Sequence, residues 1–198
     1  MDDHRAVSSA AQKPAVVYSH TVKGFLRYAL ERRGLLTTNV VGELAALGLD
    51  VRRPSDVPID TWWKVLGVGV RLIASERADA DGWELLGGEV VRGFADTLVG
   101  KSAFLLLRLL GPRRALRQLT QQYRTADSVT TVESRELQPT CVELAYTVIG
   151  GIPHPSYVKG ILKVGMELVG ARQPEVAWTP SAQLADTWTY VVTWAAKE

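Results

Sequence analysis

The chain has 198 residues, 46% hydrophobic and 22% charged, with a formal net charge of +2 at pH 7. That length suits one domain whose core needs no covalent staples, and so small a net charge gives no argument for nucleic-acid binding. The single cysteine, Cys141, excludes an internal disulfide framework and fits a reducing compartment.

Residues 1–14 start acidic and lack the apolar stretch of a secretion signal, so a disordered polar lead is expected, followed by a single domain over 15–198. No apolar run reaches the roughly 18–20 residues needed to span a bilayer; Val65 to Ala74 is broken by Arg71. The expected location is the cytoplasm. Residues 15–22 read as a short strand or the start of the first helix. In "TVKGFLRYALERRG", Val22, Phe25, Leu26, Ala29 and Leu30 recur at helical spacing, with Gly34 as the stop. "TTNVVGELAALGLD" repeats the pattern, with Thr37 or Thr38 as cap and Gly48 as stop. A longer helix begins at Ile59, with Trp62, Trp63, Leu66, Val70 and Ile73 on its apolar face. The next carries Trp83, Leu86, Val90, Phe94 and Leu98. Its glycines 87, 88 and 93 imply close backbone packing or a break near Gly87. "KSAFLLLRLLG" and "PRRALRQLTQQYR" read as two short helices separated at Gly111, with Pro112 in the first turn of the second.

Near residue 126 the pattern changes. "SVTTVESREL" and "PTCVELAYTVIG" are rich in β-branched residues and partly alternate, which predicts an antiparallel pair. A helix over 155–169 follows, then strands "EVAWT" and "TWTYVVTW". The expected class is α+β: a helical part, 15–124, packed on a four-stranded antiparallel sheet, 125–198, of order β-β-α-β-β.

Most catalytic motifs fail. "LVGKS" has Ala95 where a phosphate loop needs its first glycine, and a helix precedes it. "GGEVVRG" has the wrong spacing for a dinucleotide loop, and no Gly-x-Ser-x-Gly elbow exists. His4, His20 and His154 are isolated in sequence, and Cys141 lies in an apolar strand where it behaves as a small hydrophobe. No enzyme activity and no cofactor are expected. The aromatic residues suggest instead a crevice between helices and sheet, lined by some of Trp62, Trp63, Phe94, Phe104, Tyr146, Tyr157 and Trp188. From Thr97 to Ala126 there is no Asp or Glu, while Lys101, Arg108, Arg113, Arg114, Arg117 and Arg124 form a basic stripe. Such a stripe either steers an acidic partner, a phosphate or a nucleic acid, or pairs with acids elsewhere in the fold.

The runs "TLVGKSAFLLLRLLGPRRALRQL", "PTCVELAYT", "PSYVKGILKVGMELVGA" and "TYVVTW" resemble a paralogous family of unassigned activity, with proteins of about 200 residues, found mainly in myxobacteria and related deltaproteobacteria. The resemblance spans about Val17 to Trp194. Its marks are the Leu-Gly-Pro step at 110–112, Gly-Ile-Leu then Val-Gly-Ala within 160–171, and Trp194. The order of helices, then β-β-α-β-β, is also similar to the haem–nitric-oxide-binding fold and to small-molecule-binding domains of the vinyl-reductase type. That likeness implies a pocketed sensor scaffold. In the haem proteins a helical histidine ligates iron and a Tyr-x-Ser-x-Arg motif holds the propionates. Here residues 58–122 contain no histidine, and Ser134 and Arg135 are adjacent, which argues against haem.

The sequence therefore predicts a non-enzymatic ligand-binding or regulatory domain that takes an apolar small molecule. The alternative is a protein-interaction module using the 101–124 stripe against an acidic partner, with self-association through an edge strand.

Overall fold

The computed structural model describes residues 14–77, 79–182, 184 and 186–196. The lead expected over 1–14 thus falls outside the described residues, apart from Pro14. A short strand, β1 (Val16–Val17), pairs antiparallel with β2 (Val57–Pro58). Helix α1 (Ser19–Phe25) runs on through a π-turn, Leu26–Leu30, and a 3-10 turn, Glu31–Arg33, to Gly34 at φ +67°. Helix α2 (Thr38–Ala46) starts on the Thr37 hydroxyl, which accepts from the Val40 N–H. Then come α3 (Ile59–Ile73) and α4 (Asp79–Asp96). They are followed by α5 (Leu98–Leu110), α6 (Pro112–Arg117) and α7 (Leu119–Ala126). The segment read as one helix after Pro112 is two, because the chain bends at Gln118.

Strands β3 (Thr130–Gln138) and β4 (Cys141–Val148) form the first hairpin. Helix α8 (Pro155–Leu168) crosses to β5 (Arg172–Pro180), which pairs with β6 (Thr187–Ala195). The sheet order is β3-β4-β6-β5, antiparallel throughout. This is the α+β class expected from the sequence.

Strand β4 alternates strictly: Val142, Leu144, Tyr146 and Val148 are buried, and their neighbours half-buried. Opposite them on β6, Tyr190 and Val192 are fully buried on the same face. Period-2 burial of this kind means one face of the sheet meets the helices. Helix α8 lies on that face, and α4 crosses it closely. Gly87 marks no break: α4 is continuous there, and a β-carbon on Gly87 would stand 2.0 Å from the Tyr157 carbonyl oxygen. The glycine thus allows two helix backbones to touch, which offsets its poor helix propensity. The N-terminal segment is tied to the α7–β3 junction, where Tyr18 N–H donates to the Ala126 carbonyl and Ser128 N–H to the Val16 carbonyl.

Candidate functional site

Between the helices and the β3–β4 half of the sheet lies a cavity of about 130 Å³, neither sealed nor a mere surface groove. That is room for about four waters or one small organic molecule. Each wall is the inward face of an amphipathic element. Ile59, Trp62 and Trp63 come from α3, and Val90, Val91 and Phe94 from α4. Ala103, Phe104 and Leu107 come from α5, Leu116 from α6, and Leu119 and Tyr123 from α7. Helix α8 closes it with Tyr157, Val158, Ile161, Leu162, Gly165 and Met166, and the sheet with Tyr146 and Val148.

Six of the seven aromatic residues singled out in the sequence meet at this cavity: Trp62, Trp63, Phe94, Phe104, Tyr146 and Tyr157. Trp188 does not. It stands opposite Tyr146 on the same sheet face, but its ring packs edge-on against Trp178 of β5, 5.2 Å between centroids, over the other half of the sheet. The rings around the cavity lock one another in edge-to-face pairs. Trp63 meets Tyr157 at 6.1 Å, Phe94 meets Phe104 at 6.5 Å, and Tyr123 meets Tyr146 at 5.2 Å. This is the geometry that aromatic quadrupoles favour.

One end of the cavity is polar. Tyr123, Tyr146 and Tyr157 bring hydroxyls there, and Asp127, between α7 and β3, lies close enough to act on all three electrostatically. Burial pushes each phenol well above its ordinary pKa, so all three stay protonated. Burial also raises the Asp127 carboxyl, against three hydrogen bonds that favour its charge: from Val129 N–H at 2.9 Å, Thr130 N–H at 2.8 Å and the Thr130 hydroxyl at 2.9 Å. Tyr123 and Asp127 were missed in the sequence because they sit inside a polar run, "QLTQQYRTADS". The available signals were the Leu116, Leu119, Tyr123 spacing and an Asp set to accept from backbone two and three residues on.

The basic stripe is largely engaged within the fold. Lys101 pairs with Asp96 at 3.2 Å, and the Arg108 Nε donates to the Leu168 carbonyl at 3.0 Å. Arg113 and Arg117 both hold Glu136 on β3, whose carboxyl they keep below its ordinary pKa. Arg114 and Arg124 are exposed and carry no ion pair among the described residues. His20 and His154 are not among the residues that line the cavity. His20 contacts the Thr125 carbonyl through Nε2, and His154 accepts from Ser156 N–H at the start of α8 and stacks on Trp83. Among the described residues no group of three or more His, Cys, Asp or Glu is placed to hold a metal, and no helix is long and apolar enough to cross a membrane.

The profile of a family described as "Protein of unknown function (DUF2378)" matches residues 15–195. The chain belongs to that family. No curated protein matches it in sequence. In fold, this DUF2378 member is similar to solved H-NOX domains. A structure concerned with H-NOX activation aligns with a TM-score of 0.65 at 13% identity, covering 90% of this chain and 97% of that one. An oxygen-binding H-NOX domain related to soluble guanylate cyclases aligns at 0.59 and 14%, covering 90% and 95%. A variant of T. Tengcongensis H-NOX aligns at 0.57 and 14%, covering 90% and 98%. At such identities the likeness shows the fold alone.

A structure in the same group is described by its haem redox potential. Haem needs an axial ligand, most often histidine or thiolate, and its propionates need cations. The described lining holds no histidine, cysteine, lysine or arginine. Its tyrosines are held neutral, and Met166 alone offers a soft donor. Arg135, the cation nearest the motif position, is exposed and pairs with Glu143 at 2.8 Å. The residues present do not fit haem.

Proposed function

We propose that this protein is a non-enzymatic, sensor-like domain that binds an apolar small molecule in the cavity between α3–α8 and the β3–β4 hairpin. The observation that carries this reading is the cavity: it is walled by helices α3 to α8 and the sheet, and nearly all its lining is hydrocarbon. Apolar pockets with a few convergent polar groups are the usual form of small-molecule sites. Native mass spectrometry of the protein from its own host tests it, followed by denaturing analysis of what is released. A stoichiometric small molecule that is lost in Gly165→Leu supports the reading. Gly165 lines the cavity and a β-carbon there meets nothing within 4 Å, so the leucine fills open space. A bare mass in both proteins overturns it. A Soret band in the purified protein would replace it with haem binding.

A second reading is favoured by the outer face of α5. Leu98, Leu105 and Leu109 are 87%, 66% and 79% exposed, and with Ser102 they follow the alternating four- and three-residue steps of a coiled-coil seam. Lys101 and Arg108 flank the seam on one side. A second copy laid antiparallel would set these cations against their own mates. The partner that fits is therefore an acidic amphipathic helix. This face is a narrower surface than the whole 101–124 stripe: Glu136 holds Arg113 and Arg117, while Lys101 and Arg108 stay exposed beside their contacts with Asp96 and the Leu168 carbonyl.

A further inference from the structure

The ligand's chemistry can be narrowed, resting on the cavity reading above. Two buried donors that belong to lining residues have no hydrogen-bond partner: the Tyr123 hydroxyl and the Trp63 indole N–H. Tyr146 acts on the titration of Tyr123, but no hydrogen bond of proper geometry closes on the Tyr123 hydroxyl. Tyr190, buried on the same sheet face, shows what a satisfied phenol looks like here, with its hydroxyl donating to the Pro155 carbonyl at 3.0 Å. Buried donors are almost always paired, and leaving one unpaired costs about 1–3 kcal/mol.

The other polar lining groups are spoken for or neutral. The Thr21 hydroxyl donates to the Ala126 carbonyl, and the Thr130 hydroxyl to Asp127. The Asp127 carboxylate takes three donors from the chain itself and presents negative charge, not positive. Gln122 adds a neutral amide. With no cation in the described lining, an anionic head would enter desolvated and uncompensated, beside a carboxylate.

We infer that the cavity takes a neutral molecule with an apolar body and one hydrogen-bond acceptor, a carbonyl or ether oxygen, seated against the Tyr123 hydroxyl. The phenols are held protonated by burial, so they serve as donors at neutral pH.

The test uses three near-isosteric probes sized to the cavity: acetophenone, ethylbenzene, and benzoate, which is ionised at neutral pH. Each is titrated by calorimetry into the full chain and into Tyr123→Phe. The expected result is about tenfold tighter binding of acetophenone than of ethylbenzene, with benzoate weakest, and loss of the acetophenone preference in Tyr123→Phe. Equal binding of acetophenone and ethylbenzene, or an unchanged preference in Tyr123→Phe, overturns the acceptor assignment while the cavity reading stands. Tightest binding of benzoate overturns neutrality. If none of the three heats the wild type, and its native mass is also bare, the cavity reading itself fails and this inference with it. Trp63→Phe removes the other unpartnered donor but leaves the Tyr123 hydroxyl, so it should keep the acetophenone preference; should Tyr123→Phe fold poorly, loss of the preference in Trp63→Phe overturns the seating on Tyr123.

Discussion

Gly160 of α8 sits directly on the Glu84 carbonyl of α4: a β-carbon at Gly160 would stand 1.9 Å from that oxygen. The oxygen belongs to the backbone and the β-carbon is fixed to one, so neither yields as the end of a flexible side chain would. Gly160→Ala must push α4 and α8 apart, and these helices supply two walls of the cavity. Overpacking costs typically about 1–3 kcal/mol, and backbone clashes lie at the high end. Gly42→Ala is the control, since it is an exposed helical glycine with nothing within 4 Å of its added β-carbon. It should stabilise by about 0.5–1 kcal/mol through propensity alone. Urea unfolding of the two variants decides this. A neutral Gly160→Ala would mean the crossing is looser than described.

Tyr190 is fully buried at the centre of the sheet face, and its hydroxyl anchors the first turn of α8 through the Pro155 carbonyl. Tyr190→Phe keeps the ring and removes that bond. The loss should be about 1–2 kcal/mol, because the carbonyl is left without its donor. Thermal unfolding measures it. A midpoint equal to wild type would show that water replaces the hydroxyl.

The pH dependence at Asp127 has a definite sign. Burial raises its pKa above the reference value of 3.8. Between the reference and the raised value the folded state binds more protons than the unfolded state, so this group's contribution makes stability fall as pH rises through that window. Asp127→Asn removes the titration. The unfolding free energy of wild type minus that of the variant should therefore decrease as pH climbs from 3.8 and level off above the raised pKa. Urea titrations from about pH 3.5 to about pH 7 report this difference directly. A difference that grows with pH contradicts the assignment.

Leu105 and Leu109 contribute little to the core, being mostly exposed. Leu105→Glu combined with Leu109→Glu should leave the unfolding free energy within about 0.5–1 kcal/mol of wild type. The same pair should abolish binding of a synthetic acidic helix with leucines at its seam, measured by fluorescence anisotropy. In wild type that binding should weaken as salt is raised, because Lys101 and Arg108 supply its electrostatic part. Binding that ignores both salt and the leucine substitutions would remove α5 as a docking face.

Much of the fold was legible because it rests on local periodicity. The stops at Gly34, Gly48 and Gly170 have the positive φ that a helix end invites glycine to adopt. The alternation in "CVELAYTV" matches the buried face of the sheet, which Tyr190 and Val192 of "TWTYVVTW" share. Helical spacing put Ile59, Trp62 and Leu66 of α3 and Trp83, Leu86 and Val90 of α4 on inward faces, but Leu98, read with the latter, begins α5 and is exposed, because the chain turns at Thr97. What the tertiary structure alone decided is who meets whom. Trp188 shares a face with Tyr146, but the strand order places β5 beside it, and Trp178 takes its ring away from the cavity. Tyr123 and Asp127 reach the cavity only because α7 docks over β3. The arginines from 113 to 117 look free in sequence, yet Glu136 waits for two of them on β3. Gly87 and Gly160 look like helix defects until the two helices cross. Periodicity reports the side of an element that avoids water. The partner on that side is set by contacts between residues tens of positions apart, where no local hydrogen bond or spacing records the pairing.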